Sequence, residues 1–160
     1  MLPAPSPCPS PAPFPAPEAF PEVRLPALSP PPLPRPLGLV KVSAGFPSPA
    51  SDYEDKRLDI NDYLVQNPVS TFFFTVAGDS MVGAEIFNGD VLVVDRSIEA
   101  RDGHIVVAFY QGERLVKRLR CRNGRLALLA ENPAYPPLEI KDGDDLVIWG
   151  VVTGKFKRFI

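Results

Sequence analysis

The stretch HIVVAFYQGERLVKRLRCRNGRLALLA, residues 104–130, holds three apolar runs, 104–110, 114–119 and 125–130, separated by Gln111-Gly112 and Asn123-Gly124. Short runs rich in β-branched and aromatic residues, broken by a glycine after a polar residue, read as strands joined by tight hairpins. The same punctuation extends outward. Runs 72–77 (FFFTVA), 91–95 (VLVVD) and 145–152 (DLVIWGVV) are bounded by Gly78-Asp79, Asn88-Gly89, Asp102-Gly103 and Asp142-Gly143. Strands of this length and spacing predict a mainly β fold, a small and strongly bent antiparallel barrel or sandwich. A single short helix is predicted ahead of them over Asp59 to Gln66 (DINDYLVQ). Acidic residues occupy its first turn, Ile60, Tyr63 and Leu64 share one face, and Pro68 stops it.

The N-terminal part of the chain obeys different rules. Of the 21 prolines in 160 residues, fifteen fall within residues 1–36. Proline at that density excludes helix, confines sheet pairing to edges, and leaves a disordered or extended polyproline arm. Residues 31–36 (PPLPRP) contain a PxxP spacing that aromatic-lined grooves accept, though a plain spacer has the same composition. From Gly45 onward 116 residues of ordinary composition remain, enough to bury a core without disulfides or metal.

Composition narrows the function classes. The net charge is −2, and residues 45–160 carry 14 basic and 17 acidic groups, so neither wholesale phosphate neutralisation nor direct sequence-specific DNA binding is expected. Cys8 and Cys121 are too few for a disulfide scaffold or a four-cysteine zinc site, and a reduced cytoplasm is the expected compartment. Prolines from Pro3 to Pro17 interrupt any apolar core of a signal peptide, and no run reaches the length of a membrane span.

Candidate chemistry centres on Gly78-Asp79-Ser80-Met81, which directly follows an apolar run. A serine on a strand-to-turn junction projects its hydroxyl and leaves nearby backbone N–H groups free for an oxyanion; the same residue also serves as an ordinary turn or cap residue. A serine nucleophile needs a base. The only histidine is His104, at the start of an apolar run, where an ordinary strand residue also fits. The alternative base is Lys117, within the strand ERLVKRLR. Strand alternation puts Leu115, Lys117 and Leu119 on one face and Arg114, Val116, Arg118 and Arg120 on the other. A lysine flanked by leucines is desolvated, as a neutral general base must be; an inward lysine also discourages edge-to-edge aggregation. Arg114 to Arg125 holds six basic residues in twelve, readable as a solvated strand face or as a docking patch for a nucleoprotein partner.

Gly78-Asp79-Ser80-Met81, then Asn88-Gly89-Asp90-Val91-Leu92-Val93-Val94-Asp95, Asp102-Gly103, Val116-Lys117-Arg118-Leu119, Asn132-Pro133-Ala134-Tyr135 and Gly150-Val151-Val152 follow one another in the chain. In this order they resemble the LexA/UmuD family of self-cleaving serine-lysine peptidases, and the UmuD-like branch most. Ala44-Gly45-Phe46-Pro47-Ser48-Pro49-Ala50-Ser51-Asp52-Tyr53 resembles the cleavage site of that branch and its flank, although Ala-Gly is the LexA-like pair where UmuD-like proteins usually have Cys-Gly.

The resemblance implies Ser80 as nucleophile, Lys117 as general base, the backbone N–H groups of Asp79 and Ser80 as oxyanion donors, and no cofactor or metal. It implies a cut between Ala44 and Gly45, which removes arm 1–44 from a peptidase-like β domain, 45–160. It further implies a homodimer, stimulation by a RecA filament on single-stranded DNA, and a processed form serving a Y-family, UmuC-like translesion polymerase in the SOS response. Rival readings are a LexA-like repressor fragment, for which a proline-rich arm supplies no helix-turn-helix, and a non-catalytic scaffold whose arm is a groove ligand. A signal peptidase would share the chemistry but needs a membrane anchor.

Overall fold

The computed structural model describes residues 31–33, 35–37 and 56–160. Two short strands, β1 (Arg35–Leu37) and β2 (Lys56–Leu58), pair antiparallel and precede helix α1 (Ile60–Leu64). The main body follows: β3 (Thr71–Thr75), β4 (Val91–Asp95), β5 (Ile105–Tyr110), β6 (Glu113–Arg122), β7 (Arg125–Leu129), β8 (Leu138–Ile140) and β9 (Leu146–Phe156). These seven form one antiparallel sheet in the order β3-β4-β9-β5-β6-β7-β8. The mainly β, antiparallel expectation is borne out.

Both expected hairpins form. Gln111 and Gly112 connect β5 to β6 with φ of 49° and 84°, and Asn123 and Gly124 connect β6 to β7 with φ of 52° and 71°. Two successive positive φ angles match the right-handed twist of the flanking strands, which is why a polar residue followed by glycine stands at each turn.

The bend comes from β9, the last strand in sequence and a central one in space. Val93 and Val94 of β4 pair with Gly154 and Val152, skipping Thr153. Val107 and Ala108 of β5 pair with Gly150 and Ile148, skipping Trp149. An unpaired extra residue bends a strand and sharpens its twist. The sheet consequently buries two clusters. Phe72, Val76, Met81, Ile86, Leu92, Val94, Val107 and Trp149 make the first; Ala100, Val106, Ala108, Leu119, Leu128, Ile148 and Val151 make the second. Trp149, swung out of register, meets Phe72 and Phe74 edge-on, each at 4.7 Å between ring centroids.

A buried carboxylate secures the entry to β3. Asp95 accepts hydrogen bonds from Asn67 Nδ2 (3.0 Å), Ser70 Oγ (2.8 Å), Ser97 N (2.7 Å) and Ser97 Oγ (2.7 Å). Burial pushes its carboxyl up, but the bonds from Asn67, Ser97 and Ser70 outweigh that and hold it below the ordinary carboxylate value.

Four features depart from the sequence reading. Helix α1 is capped by Asp59 as its acidic start suggests, but Ile60 and Tyr63 of its apolar face are exposed and only Leu64 turns inward, over Gly154. β8 is an additional strand, three residues following Pro136-Pro137 and too short to register as a run. β9 continues to Phe156. Arm residues 35–37 pair with residues 56–58, so the arm is not separate from the rest along its whole length.

Gly150 shows how tightly the bulged strand packs: a Cβ there would lie 2.8 Å from Val94 Cγ1 and 3.1 Å from the Asp95 carbonyl oxygen. Gly150→Ala should therefore destabilise the fold by about 1–3 kcal/mol. Thermal melting checks this, with an expected fall of at least about 4 °C; an unchanged midpoint would mean that β4 and β9 yield more easily than their packing suggests.

Candidate active site

Ser80 stands on the connection between β3 and β4, and that connection is pinned at its base. Val76 N donates to Asp90 O (2.8 Å), Gly89 N to Val76 O (2.9 Å), and Gly78 N to the Asn88 side-chain oxygen (3.1 Å). Beyond these bonds the chain passes through Gly78, at φ 94°, and enters a single 3₁₀ turn, Val82–Ala84. Met81 is buried in the first apolar cluster and Ser80 is left half-buried. Hydrophobic burial on one side and a pinned loop base on the other thus fix where the hydroxyl points.

Lys117 arrives from the middle of β6, opposite Val106 of β5. Leu115 and Leu119, two positions to either side of it, pack into the second cluster, as strand alternation requires. Its Nζ lies 2.6 Å from Ser80 Oγ, with a further contact of 3.2 Å to the carbonyl of Val116. Burial pushes the Lys117 amine below the ordinary lysine value, and among the described residues no carboxylate is paired with it to reverse the effect. A serine hydroxyl touching an amine that burial biases toward its neutral form is the arrangement that a nucleophile and its base require.

His104 takes no part in this contact. Its Nδ1 accepts a hydrogen bond from Arg101 N at 3.2 Å, closing the turn that leads into β5. The amides of Asp79 and Ser80 donate to no other described residue. Ala44 and Gly45 lie outside the described residues. Among the described residues no group of histidine, cysteine, aspartate or glutamate is arranged to hold a metal ion, and no helix is long and apolar enough to cross a membrane.

A third segment, Glu131 to Tyr135, braces the serine loop from the side. Glu131 N donates to Ser80 O (2.9 Å), and Gly83 N donates to Glu131 O (2.6 Å). Asn132 Nδ2 donates to Asp79 O (3.0 Å), and the Tyr135 hydroxyl donates to the Asp79 carboxylate (2.5 Å). The Glu131 side chain pairs with Arg118 Nε, while Arg118 also donates to Gly103 O at 2.7 Å. Arg118 is therefore no member of a freely solvated strand face, whereas Arg120, Arg122 and Arg125 are exposed. In the sequence Asn132-Pro133-Ala134-Tyr135 stands as a motif with no task of its own. Its signal was an Asn-Pro turn directly after a strand, and only the fold shows which loop that turn touches.

The peptidase S24-like family matches residues 36–153, a span that includes Ser80, Lys117 and the bracing turn. The chain belongs to that family. Among its relatives, Protein MucA of Escherichia coli is 47% identical over 119 residues, covering 74% of this chain and 81% of that protein. Protein ImpA of Shigella flexneri is 42% identical over 125 residues, covering 78% and 84%. The LexA repressor of Bordetella parapertussis is 40% identical over 115 residues, covering 71% of this chain but 52% of the repressor. The UmuD-like resemblance read from the motifs is borne out, and so is the peptidase S24-like class of the fold.

The depressed Lys117 amine has a measurable consequence. In a Ser80→Ala protein, NMR titration of Lys117 should give a midpoint below about 10.4, the value of a free lysine. Between that lowered midpoint and the ordinary one the unfolded chain binds more protons than the folded one, so this residue's contribution to stability should rise with pH across that window. A midpoint at or above the free value would show that the amine is solvated in the folded protein.

Proposed function

We propose that this S24-like peptidase cuts its own chain between Ala44 and Gly45, with Ser80 as nucleophile and Lys117 as general base. The 2.6 Å contact between Lys117 Nζ and Ser80 Oγ carries the proposal. The neutral amine takes the hydroxyl proton as Oγ attacks the Ala44 carbonyl carbon, and the amides of Asp79 and Ser80 receive the developing oxyanion. On collapse the Ala44–Gly45 bond breaks, the Lys117 ammonium returns its proton to the Gly45 nitrogen, and Ser80 holds residues 1–44 as an ester. Water then gives a proton to Lys117 as its oxygen attacks the ester carbon, the bond from that carbon to Ser80 Oγ breaks, and the Lys117 ammonium returns the proton to Oγ, releasing the arm as a carboxylic acid. Small residues on both sides of the bond let the backbone approach the serine closely, and covalent attachment presents the substrate at high effective concentration.

The UmuD-like relatives support a role in SOS mutagenesis. In that reading a RecA filament on single-stranded DNA stimulates the cut in the cytoplasm, and the processed chain joins a UmuC-like Y-family polymerase as subunit or regulator. The homodimer belongs to the same reading. Exposed Ile60, Tyr63 and Val69 give one chain apolar surface to cover, whereas Phe46 and Tyr53, also expected there, lie outside the described residues.

Intact-mass measurement after incubation at rising pH tests the chemistry. A fragment of residues 45–160 should appear, faster by about tenfold per pH unit below the Lys117 midpoint, because only the unprotonated amine accepts the proton. Ser80→Ala and Lys117→Ala should remain whole yet folded, and His104→Gln should cut like the parent. An active Lys117→Ala protein beside a dead His104→Gln protein would transfer the base to histidine.

The biological reading has its own comparison. Full-length Ser80→Ala and a chain beginning at Gly45 should both sediment as dimers at micromolar concentration, and should differ in affinity for the cognate polymerase. Equal affinity would mean that the arm is not a removable switch.

A further inference from the structure

The bracing turn at Glu131 to Tyr135 does more than hold a loop in place. The peptide between Asp79 and Ser80 is trans and planar, so its carbonyl and its N–H point in opposite directions and cannot be oriented independently. The carbonyl is held from one side by Asn132 Nδ2 at 3.0 Å, with a longer contact from Val82 N at 3.4 Å. Whatever fixes that carbonyl therefore aims the Ser80 N–H, which donates to no other described residue.

Asn132 is itself locked. Its Oδ1 accepts from Ala134 N at 3.0 Å, which leaves the amide nitrogen turned toward Asp79. Tyr135 grips the same residue through its carboxylate, and Glu131 N holds the next carbonyl, that of Ser80, at 2.9 Å. Two bonds from one turn thus set the tilt of two consecutive peptide planes at the serine, and a third holds the Asp79 side chain. None of them touches Ser80 Oγ or Lys117 Nζ.

We infer that Asn132, supported by Tyr135, is a positioning residue that preorganises the oxyanion-binding N–H of Ser80 and leaves the serine-lysine proton transfer alone. The inference rests on the self-cleavage reading and adds to it a residue with a separable task. An oxyanion donor is effective because its dipole is already aimed where charge develops and need not turn during the reaction. Without Asn132 the 79–80 peptide loses its shorter carbonyl contact and can rotate, and the N–H loses its aim.

The two roles separate in a pH profile. Asn132→Ala removes the donor to Asp79 O without bringing a new charge to the site. Self-cleavage of this variant, followed by intact mass from neutral to alkaline pH, should be slower by about 100-fold at every pH, the usual cost of one oxyanion contact. The midpoint of its pH–rate curve should stay at the parent's value, because the substitution adds no charge and leaves the contact of Lys117 with Ser80 in place. Tyr135→Phe, which removes only a hydroxyl, should show a smaller loss with the same midpoint, and both proteins should melt cooperatively within a few degrees of the parent. Asn132→Ala cutting at the parental rate, a shifted midpoint, or a loss of rate in both variants that tracks a loss of folded protein would overturn the inference. A parent chain that never cuts would overturn this inference and the self-cleavage reading together, whereas a cutting parent with an equally fast Asn132→Ala variant overturns this one alone.

Discussion

A lysine carried on the apolar side of a strand sets the terms for the rest of this site. Removing an ammonium group from water is costly, and the chain can meet that cost with a counter-charge or by letting the amine lose its proton. β6 supplies no carboxylate at Lys117, and the amine meets the hydroxyl of Ser80 instead. Such an amine can serve as a base only while its surroundings stay apolar and its partner stays within hydrogen-bond reach. Leu115 and Leu119 provide the first condition, and a pinned loop carrying Ser80 provides the second.

Holding that loop is a task divided among distant parts of the chain. Burial of Met81 and Ile86 anchors it to the core from beneath. Hydrogen bonds to Asp90 and Asn88 tie its base to the start of β4, and the Glu131 to Tyr135 turn grips its carbonyls from the far side. Gly83 belongs to the same arrangement, since a Cβ there would stand 2.6 Å from the Glu131 carbonyl oxygen that its own N–H binds. The loop is thus short of space as well as rich in bonds. That combination suits a group whose hydroxyl and amide must both be aimed before reaction begins.

Charge is distributed so that the amine remains the unusual group. Asp90 and Asp95 are more deeply buried than the half-buried Lys117 but stay ionised, because each has charged or hydrogen-bonding partners. Asp90 meets Lys155 at 2.8 Å and Lys157 at 3.5 Å, and Asp95 is enclosed by hydrogen-bond donors. Burial raises the carboxyl of Asp90, and the hydrogen bond from Lys155, the amide of Phe87 and the charges of Lys155 and Lys157 bring it below its ordinary value. These carboxylates stabilise the fold above the ordinary carboxylate range, and that contribution is lost as pH falls through their lowered folded values. Lys117 acts with the same sign, because its lowered amine also adds stability as pH rises.

Local sequence alone determined much of this protein. Polar residues followed by glycine at 111–112 and 123–124 dictate two hairpins, because few other pairs tolerate successive positive φ angles. Alternation along β6 places Lys117 with Leu115 and Leu119 before any fold is known, and the order of short motifs points to Ser80 as its partner. What sequence could not supply is any relation that depends on strands crossing in space. The position of β9 between β4 and β5, its two unpaired residues, the strand status of Leu138 to Ile140, and the exposure of Ile60 and Tyr63 follow from packing across the whole sheet. The ion pair that removes Arg118 from the solvated basic stretch, and the bond from Asn132 to the Asp79 carbonyl 53 residues away, belong to the same class. Turn chemistry and periodicity act over a few residues and can be read in a line. Contacts between a loop and a turn from opposite parts of the chain exist only once the sheet has bent, because the bend brings them within hydrogen-bond distance.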